Sequence, residues 1–215
     1  MGFQRHRSLG KGRKIVLIVT IALLLMGVAS IPRSDKKTAT IYRAVLSDEG
    51  GLTEIVTVGV ISDTHIPTRS KELPAETITA FKDVDMIIHA GDIVHLEVIR
   101  DLERVAPVVA VQGNMDPSDV RKVLPEMDTV EIDAWKIGVI HDSLSPLRMR
   151  KMRKVAKDNG FDVLIFGHTH RPFIKAEKGV LYLNPGSPTD PFLARPTVAL
   201  LRVGKDKIKA EIVEI

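Results

Sequence analysis

The hydrophobic pattern divides the chain near residue 55. Before that point one apolar run stands out: Ile15 to Ile31 is interrupted only by Thr20, Gly27 and Ser30, and it follows the basic residues Arg5, Arg7, Lys11, Arg13 and Lys14. Beyond it, short β-branched runs alternate with stretches of helical period. Ile55–Ile61 is β-branched almost throughout, as in a strand buried on both faces, and it ends in Ser62-Asp63-Thr64-His65. The spacing then predicts a helix over Pro74–Phe81 and a strand over Met86–His89 ending in Ala90-Gly91-Asp92. A helix near Val94–Arg104 and a strand over Pro107–Val111, ending in Gln112-Gly113-Asn114-Met115-Asp116, follow. Strands alternating with helices imply right-handed crossovers and a parallel sheet. These three ends therefore converge on one side, the side where open α/β sheets bind ligands.

The pattern changes after a predicted helix near Pro117–Leu124. Thr129–Asp133 and Trp135–His141 read as a hairpin turning at Asp133-Ala134. A helix over Ser145–Asn159 presents Met149, Met152, Val155 and Ala156 as a buried stripe. A strand over Asp162–Phe166 then enters Gly167-His168-Thr169-His170, and Arg171–Ala176, Val180–Asn184, Pro196–Val203 and Lys207–Glu214 read as antiparallel strands. The expected fold is α/β, an α/β/β/α sandwich of two sheets occupying residues 55–215. Residues 32–54, polar with Gly50-Gly51, read as a linker.

Residues 1–31 admit two readings. A basic arm before an apolar run is a membrane-targeting pattern, and this run sits at the lower edge of the ~17–25 residues a spanning helix needs. Small residues at Gly27, Ala29 and Ser30 also leave signal cleavage open. On this reading residues 15–31 meet a membrane and the protein is anchored or exported; on the other, the start codon is misassigned and the body is cytoplasmic. Charge separates the two halves as well. Residues 1–54 hold nine Lys/Arg against four Asp/Glu, leaving twenty-two against twenty-three for residues 55–215. The net charge of +4 therefore belongs to the arm, and a nucleic-acid partner is disfavoured for the body. With no cysteine, thiolate metal sites, disulfides and a cysteine nucleophile are excluded; homo-oligomerisation is compatible with the sequence.

Chemistry gathers at the strand ends. Asp63, His65, Asp92, Asn114, His141, His168 and His170 supply four histidines, two carboxylates and one amide, enough for two metal ions. On a continuing strand His168 and His170 share one face, so both reach one site. A ligand set rich in imidazole suits divalent Mn, Fe, Ni, Co or Zn, whereas Ca and Mg prefer oxygen shells. Asp92, on the middle strand of the three, is the natural bridging carboxylate. His89 reads as a core histidine supporting the site, His95 as helix surface, and the Asn184-Pro185-Gly186-Ser187 turn lies close behind the histidine pair. The cations of the Ser145–Asn159 helix (Arg148, Arg150, Lys151, Arg153, Lys154, Lys157) suit a phosphate or membrane surface, or simply a solvated face.

Taken in order, Asp63-x-His65, Gly91-Asp92, Gly113-Asn114, His141 and Gly167-His168-Thr169-His170 resemble the motifs of the calcineurin-like metallophosphoesterases. Within them, the chain is similar over about residues 55–203 to the small prokaryotic single-domain phosphodiesterases whose third motif reads Gly-Asn-x-Asp. The resemblance implies that Asp63, His65 and His170 hold one ion, that Asn114, His141 and His168 hold the other, and that Asp92 bridges them. It further implies a small phosphoester substrate, hydrolysed by attack of a metal-bound hydroxide. Larger members follow the asparagine with a proton-donating histidine, where this chain has Met115 and then Asp116, so Asp116 enters as a group supporting the ligands from behind, a candidate acid or a helix N-cap. Many relatives also follow the His141 position with glycine, where this chain has Asp142. A retromer scaffold subunit resembles the same fold, which makes a weakly catalytic protein-binding scaffold the alternative; the full set of histidines favours the enzyme.

Overall fold

The computed structural model describes residues 2–4, 55–141 and 148–215; the apolar run 15–31, the linker 32–54, Asp142 and the start of the predicted helix at Ser145 lie outside them. Its elements in chain order are β1 (Gly2–Gln4), β2 (Val56–Ile61), α1 (Ala75–Phe81), β3 (Met86–His89), α2 (Glu97–Glu103), β4 (Val108–Ala110), α3 (Ser118–Val123) and β5 (Met127–Ile132). They continue with β6 (Trp135–Ile140), α4 (Arg148–Asn159), β7 (Val163–Phe166), β8 (Pro172–Glu177), β9 (Val180–Pro185), β10 (Thr197–Val203) and β11 (Lys207–Glu214). Among the described residues one sheet has the order β1-β11-β10-β2-β3-β4 and the other β5-β6-β7-β9-β8, so the expected two-sheet α/β architecture is present.

Register decides where the motifs meet. β2, β3 and β4 are parallel, and Ile61, His89 and Ala110 stand side by side as Cα partners. The residues that follow each of them, Ser62-Asp63, Ala90-Gly91-Asp92 and Val111-Gln112-Gly113-Asn114, therefore leave the sheet abreast. In the second sheet β6 and β7 are also parallel, with Ile140 opposite Phe166, so His141 and Gly167 emerge together.

Period-2 alternation on strands covered on both sides builds the layers. Val58, Val60, Met86 and Ile88 of the first sheet share one buried cluster with Ile137, Val139, Val163 and Ile165 of the second. Their sequence neighbours face outward: Ile61 and Ile87 pack with Phe81, Val98 and Leu102 of α1 and α2, while Leu164 and Phe166 pack with Met152 and Ala156 of α4. The predicted stripe on α4 is thus confirmed at Met152 and Ala156, which are buried, with Met149 and Val155 at its margin.

Three expectations change. β8 and β9 pair antiparallel, as do β10 and β11, but β9 lies parallel to β7 and the last two strands cross to the other sheet. α2 begins at Glu97, because Val94 takes φ 73° and forms an isolated bridge to Ile66, so His95 precedes the helix and its Nδ1 accepts the Glu97 N–H at 3.3 Å. β7 ends at Phe166, which takes His168 and His170 off the strand.

Trp135 stitches the sheets: its buried ring lies in the shared core and its Nε1–H donates to the carbonyl of Gly204, just past β10, at 2.9 Å. Trp135→Phe keeps most of the ring contact and removes that donor. It should lower stability in urea unfolding by about 1–3 kcal/mol while leaving metal content unchanged, because the bond lies outside the strand-end cluster.

Candidate metal centre

All seven strand-end residues come together. Asp63, His65, Asp92 and His170 form one group and Asp92, His141 and His168 a second; within each, one ligand-type atom per residue lies within 4.8 Å of all the others. Asp92 belongs to both. His65 Nε2 is 3.2 Å from His170 Nε2 and 3.6 Å from Asp92 Oδ2, and His170 Nε2 is 3.4 Å from Asp63 Oδ1. On the other side His141 Nε2 is 3.3 Å from Asp92 Oδ2, and Asn114 Oδ1 lies 3.1 Å from His141 Nε2 and 2.7 Å from His168 Nδ1.

The backbone reaches this arrangement through an unusual conformation. Asp63, His65, Asp92, His168 and His170 have φ of 55°, 46°, 57°, 75° and 56°, a left-handed region that non-glycine residues seldom occupy. Each departure costs of order 1–3 kcal/mol, and such strain persists only where the surroundings over-determine it. Here backbone pairing does so: Asp63 N–H donates to Gly91 O and His65 N–H to Asp92 O, both at 3.0 Å. The strain also corrects the shared-face expectation for the histidine pair. With both residues left-handed beyond the strand, His170 joins the Asp63 group and His168 the Asn114 side.

Two motif glycines are explained by close approach. A Cβ on Gly113 would lie 2.1 Å from Asp92 Oδ1 and 2.3 Å from Asp92 N, and one on Gly91, where φ is +89°, would lie 2.6 Å from His141 Cβ. Gly113 makes room for Asp92 from the neighbouring strand, and Gly91 for His141 from the other sheet.

Hydrogen bonds to backbone carbonyls orient two of the rings. A carbonyl only accepts, so the contacts of His141 Nδ1 with Ala90 O (2.8 Å) and of His170 Nδ1 with Asp190 O place the proton on Nδ1 and leave each Nε2 lone pair facing the centre. Asp63 accepts the His168 N–H at 3.0 Å with both oxygens, and Asp92 Oδ1 accepts the Met115 N–H at 2.7 Å. Behind them, Ser187 Oγ donates to Asp63 O at 2.7 Å and Asn184 Nδ2 to Gly167 O at 2.9 Å, so the predicted turn braces the site from beneath. Buried His89 meets Thr64 Oγ1 through Nε2 at 3.1 Å, a supporting place as expected.

Inward-facing imidazole nitrogens and carboxylate oxygens are the donor set a divalent cation takes. The ionisation of the group reflects the same crowding. Burial raises the Asp63 carboxyl to about 6, against the lowering influence of His141, Ser62 and His170. Burial also works against charge on Asp92, but the hydrogen bond and charge of His141 with the Met115 N–H hold it below the ordinary carboxylate range. Burial would lower His141, yet Asp92 and Asp63 raise it; for His65 burial prevails and lowers it. Burial, assisted by His141, pushes His89 down to about 3.

Of the three sequence expectations for Asp116, the structure matches the supporting one behind the ligand residues. It is buried, Oδ1 accepts the Val94 N–H and Oδ2 the Gly113 N–H, both at 2.6 Å, and α3 is capped by Pro117 with no side-chain cap bond. It ties together the loops that carry Asp92 and Asn114. Over the centre lies a cleft of about 200 Å³ lined by His65, Arg69, Asp92, Asn114, Met115, His168, His170 and Asp190. Arg69 and Asp190 carry no motif and are found only through the fold. A neighbouring groove of about 510 Å³ runs from Asn114 and His141 to Arg121 and Lys151. Of the other α4 cations, Arg153 pairs with Glu177 and Lys154 with Asp158, as on a solvated face.

Comparison with known proteins agrees with this geometry. Residues 56–206 match the family model of the calcineurin-like phosphoesterase superfamily domain. A protein of Methanothermobacter thermautotrophicus named as a probable metallophosphoesterase is 44% identical over 157 residues, 73% of this chain and 91% of its own length. A phosphodiesterase of Methanocaldococcus jannaschii is 29% identical over 173 residues, 73% of this chain and 99% of its own. Among solved structures, Vps29 of Entamoeba histolytica in complex with zinc is similar with a TM-score of 0.62 and 27% identity, covering 74% of this chain and 99% of that one.

The raised Asp63 carboxyl has a measurable consequence for the metal-free chain. Between its ordinary value of 3.8 and about 6, the folded state keeps a proton that the unfolded state has released, so this group's contribution to stability falls as pH rises through that window. His89 acts with opposite sign, because its unfolded form binds a proton between about 3 and 6.5 that the folded form refuses. The absolute pH profile is therefore flattened, and a difference isolates Asp63. In EDTA, Asp63→Asn should gain stability relative to wild type as pH rises from 4 to 7, by about 1–3 kcal/mol in urea unfolding. A pH-independent difference would contradict the assignment.

Proposed function

The chain belongs to the calcineurin-like phosphoesterase superfamily, and from that premise we propose that it is a dinuclear metal-dependent phosphodiesterase. The observation that carries this reading is the pair of ligand groups sharing Asp92. In it Asp63, His65 and His170 hold one divalent ion, Asn114, His141 and His168 hold the other, and Asp92 lies between them. When bound, such ions supply Lewis acidity toward phosphoryl oxygens and an acidified water.

The chain's own residues do the rest. The Asp92 carboxylate, stabilised by His141 and the Met115 N–H, places negative charge where two cations approach. The carbonyl contacts of His141 and His170 fix ring orientation before any ion arrives. Imidazole-rich coordination favours Mn, Fe, Co, Ni or Zn over Mg, and the zinc complex of the Entamoeba histolytica relative supports that choice. No proton donor stands at Met115, whose side chain is exposed on the cleft, and Asp116 is assigned as a loop brace because both its oxygens already accept backbone N–H groups. Leaving groups that depart unprotonated are therefore favoured, and the phosphodiesterase relative supports diester cleavage.

A second reading, a protein-binding scaffold, is favoured by the likeness to Vps29. Metal analysis with a substrate panel separates the two. Wild type should bind two ions per chain and cleave an activated aryl phosphodiester at least ~10²-fold faster than an alkyl phosphomonoester. Asp92→Asn should lose at least one ion and nearly all turnover. Comparable rates on both substrates would place a general acid in the cleft, and a metal-loaded chain inert toward every phosphoester would favour the scaffold.

A further inference from the structure

Among the described residues lining the cleft over the candidate metal centre, Arg69 is the only lysine or arginine. Its backbone is pinned to the site: Arg69 N–H and Thr68 Oγ1 both donate to the carbonyl of His65 at 2.8 Å, closing a turn on one of the ligand-type residues. Its side chain is held on the other side by Asp190, whose carbonyl orients His170 and whose Oδ2 lies 3.5 Å from Arg69 Nε and 3.4 Å from His170 Nδ1. The backbone turn and the Asp190 contact thus place a guanidinium at the mouth of a cleft whose other residues bring carboxylates, imidazoles, an amide and the thioether of Met115.

We propose that Arg69 is a phosphoryl-oxygen clamp, a substrate-binding residue that takes the non-bridging oxygens of the phosphoester above the metal centre; the inference rests on the phosphoesterase reading and deepens it. A planar guanidinium fits two oxygens of one phosphoryl group, which an ammonium does not. Negative charge that spreads over those oxygens as the ester is cleaved then meets a cation already stationed beside the cleft. The Asp190 pair does not compete strongly: 3.5 Å is long for a charge-assisted bond, and with 60% and 36% of the two side chains exposed the pair is weak. It parks the guanidinium near the cleft and releases it to a stronger anion. Where Met115 leaves the departing oxygen without a proton donor, this cation is the side chain available to offset charge in the cleft.

The competing role is structural, with Arg69 merely steadying Asp190 and through it His170. Full-length wild type, Arg69→Ala, Arg69→Lys and Asp190→Ala, each loaded with manganese, decide between them by calorimetric titration with inorganic phosphate alongside metal content and aryl-diester turnover. Arg69→Ala should keep its metal and weaken phosphate binding about 10–100-fold, Arg69→Lys should recover only part of it, and added guanidinium should restore turnover to Arg69→Ala but not to wild type. Asp190→Ala, which keeps the carbonyl on His170 and removes the tether, should bind phosphate as tightly as wild type or more tightly. Phosphate affinity within twofold of wild type in Arg69→Ala, an equal loss in Asp190→Ala, or wild type that binds no phosphate would each overturn the clamp. Wild type that binds phosphate through Arg69 but cleaves no phosphoester would instead uphold the clamp and remove the phosphodiesterase reading.

Discussion

A carboxylate taken out of water must be matched at once or not remain charged, and Asp92 is where this chain meets that constraint. One oxygen accepts the Met115 N–H; the other faces His141 at 3.3 Å and His65 at 3.6 Å. Much of the surrounding architecture serves that placement. Parallel register brings the ends of β2, β3 and β4 abreast, Gly113 leaves the space a Cβ would take from Asp92, and buried Asp116 ties the Val94 loop to Gly113.

Strain and packing are complementary here. Five of the seven ligand-type residues are left-handed, and at 1–3 kcal/mol each their cost is comparable to the net stability of a domain. It is sustained because each segment leaves a strand anchored in a double-faced core, Ile61 and Ile87 on the helix side and Val60, Ile88 and Ile165 between the sheets. Two polar supports, Ser187 and Asn184, then fix the carbonyls of Asp63 and Gly167 from beneath. A rigid base permits conformations at the sheet edge that a loop on its own would relax.

What was legible in the sequence follows from this division of labour. The strands were readable because burial on both faces demands β-branched runs, and the seven ligand-type residues because each directly follows such a run. Their mutual geometry was less so. A two-residue spacing of His168 and His170 reads as one face of a strand; the resemblance implied their division between two ions, and the left-handed backbone after Phe166 is how they reach opposite sides of Asp92. Asp116 read equally as a support for the ligands, an acid or a helix cap, because chain position shows what precedes a helix, not which backbone donors a side chain will find across the fold; its bonds to Val94 and Gly113 select the support. Arg69 and Asp190 were invisible for the same reason: they sit 121 residues apart and meet only through the turn on His65 and the loop after Ser187.

The likeness to both phosphodiesterases and Vps29 shows that the sandwich itself does not choose between chemistry and docking. The choice lies in details that backbone similarity leaves untouched: whether imidazole Nε2 atoms face inward, whether a carboxylate stands between two ligand groups, and whether a cation reaches the cleft above. In this chain carbonyl acceptors turn His141 and His170 inward, Asp92 is shared, and Arg69 lines the cleft. Strain held at five positions around seven converging ligand-type residues, with an arginine on the cleft above them, is the physical ground on which we propose an enzyme rather than a scaffold.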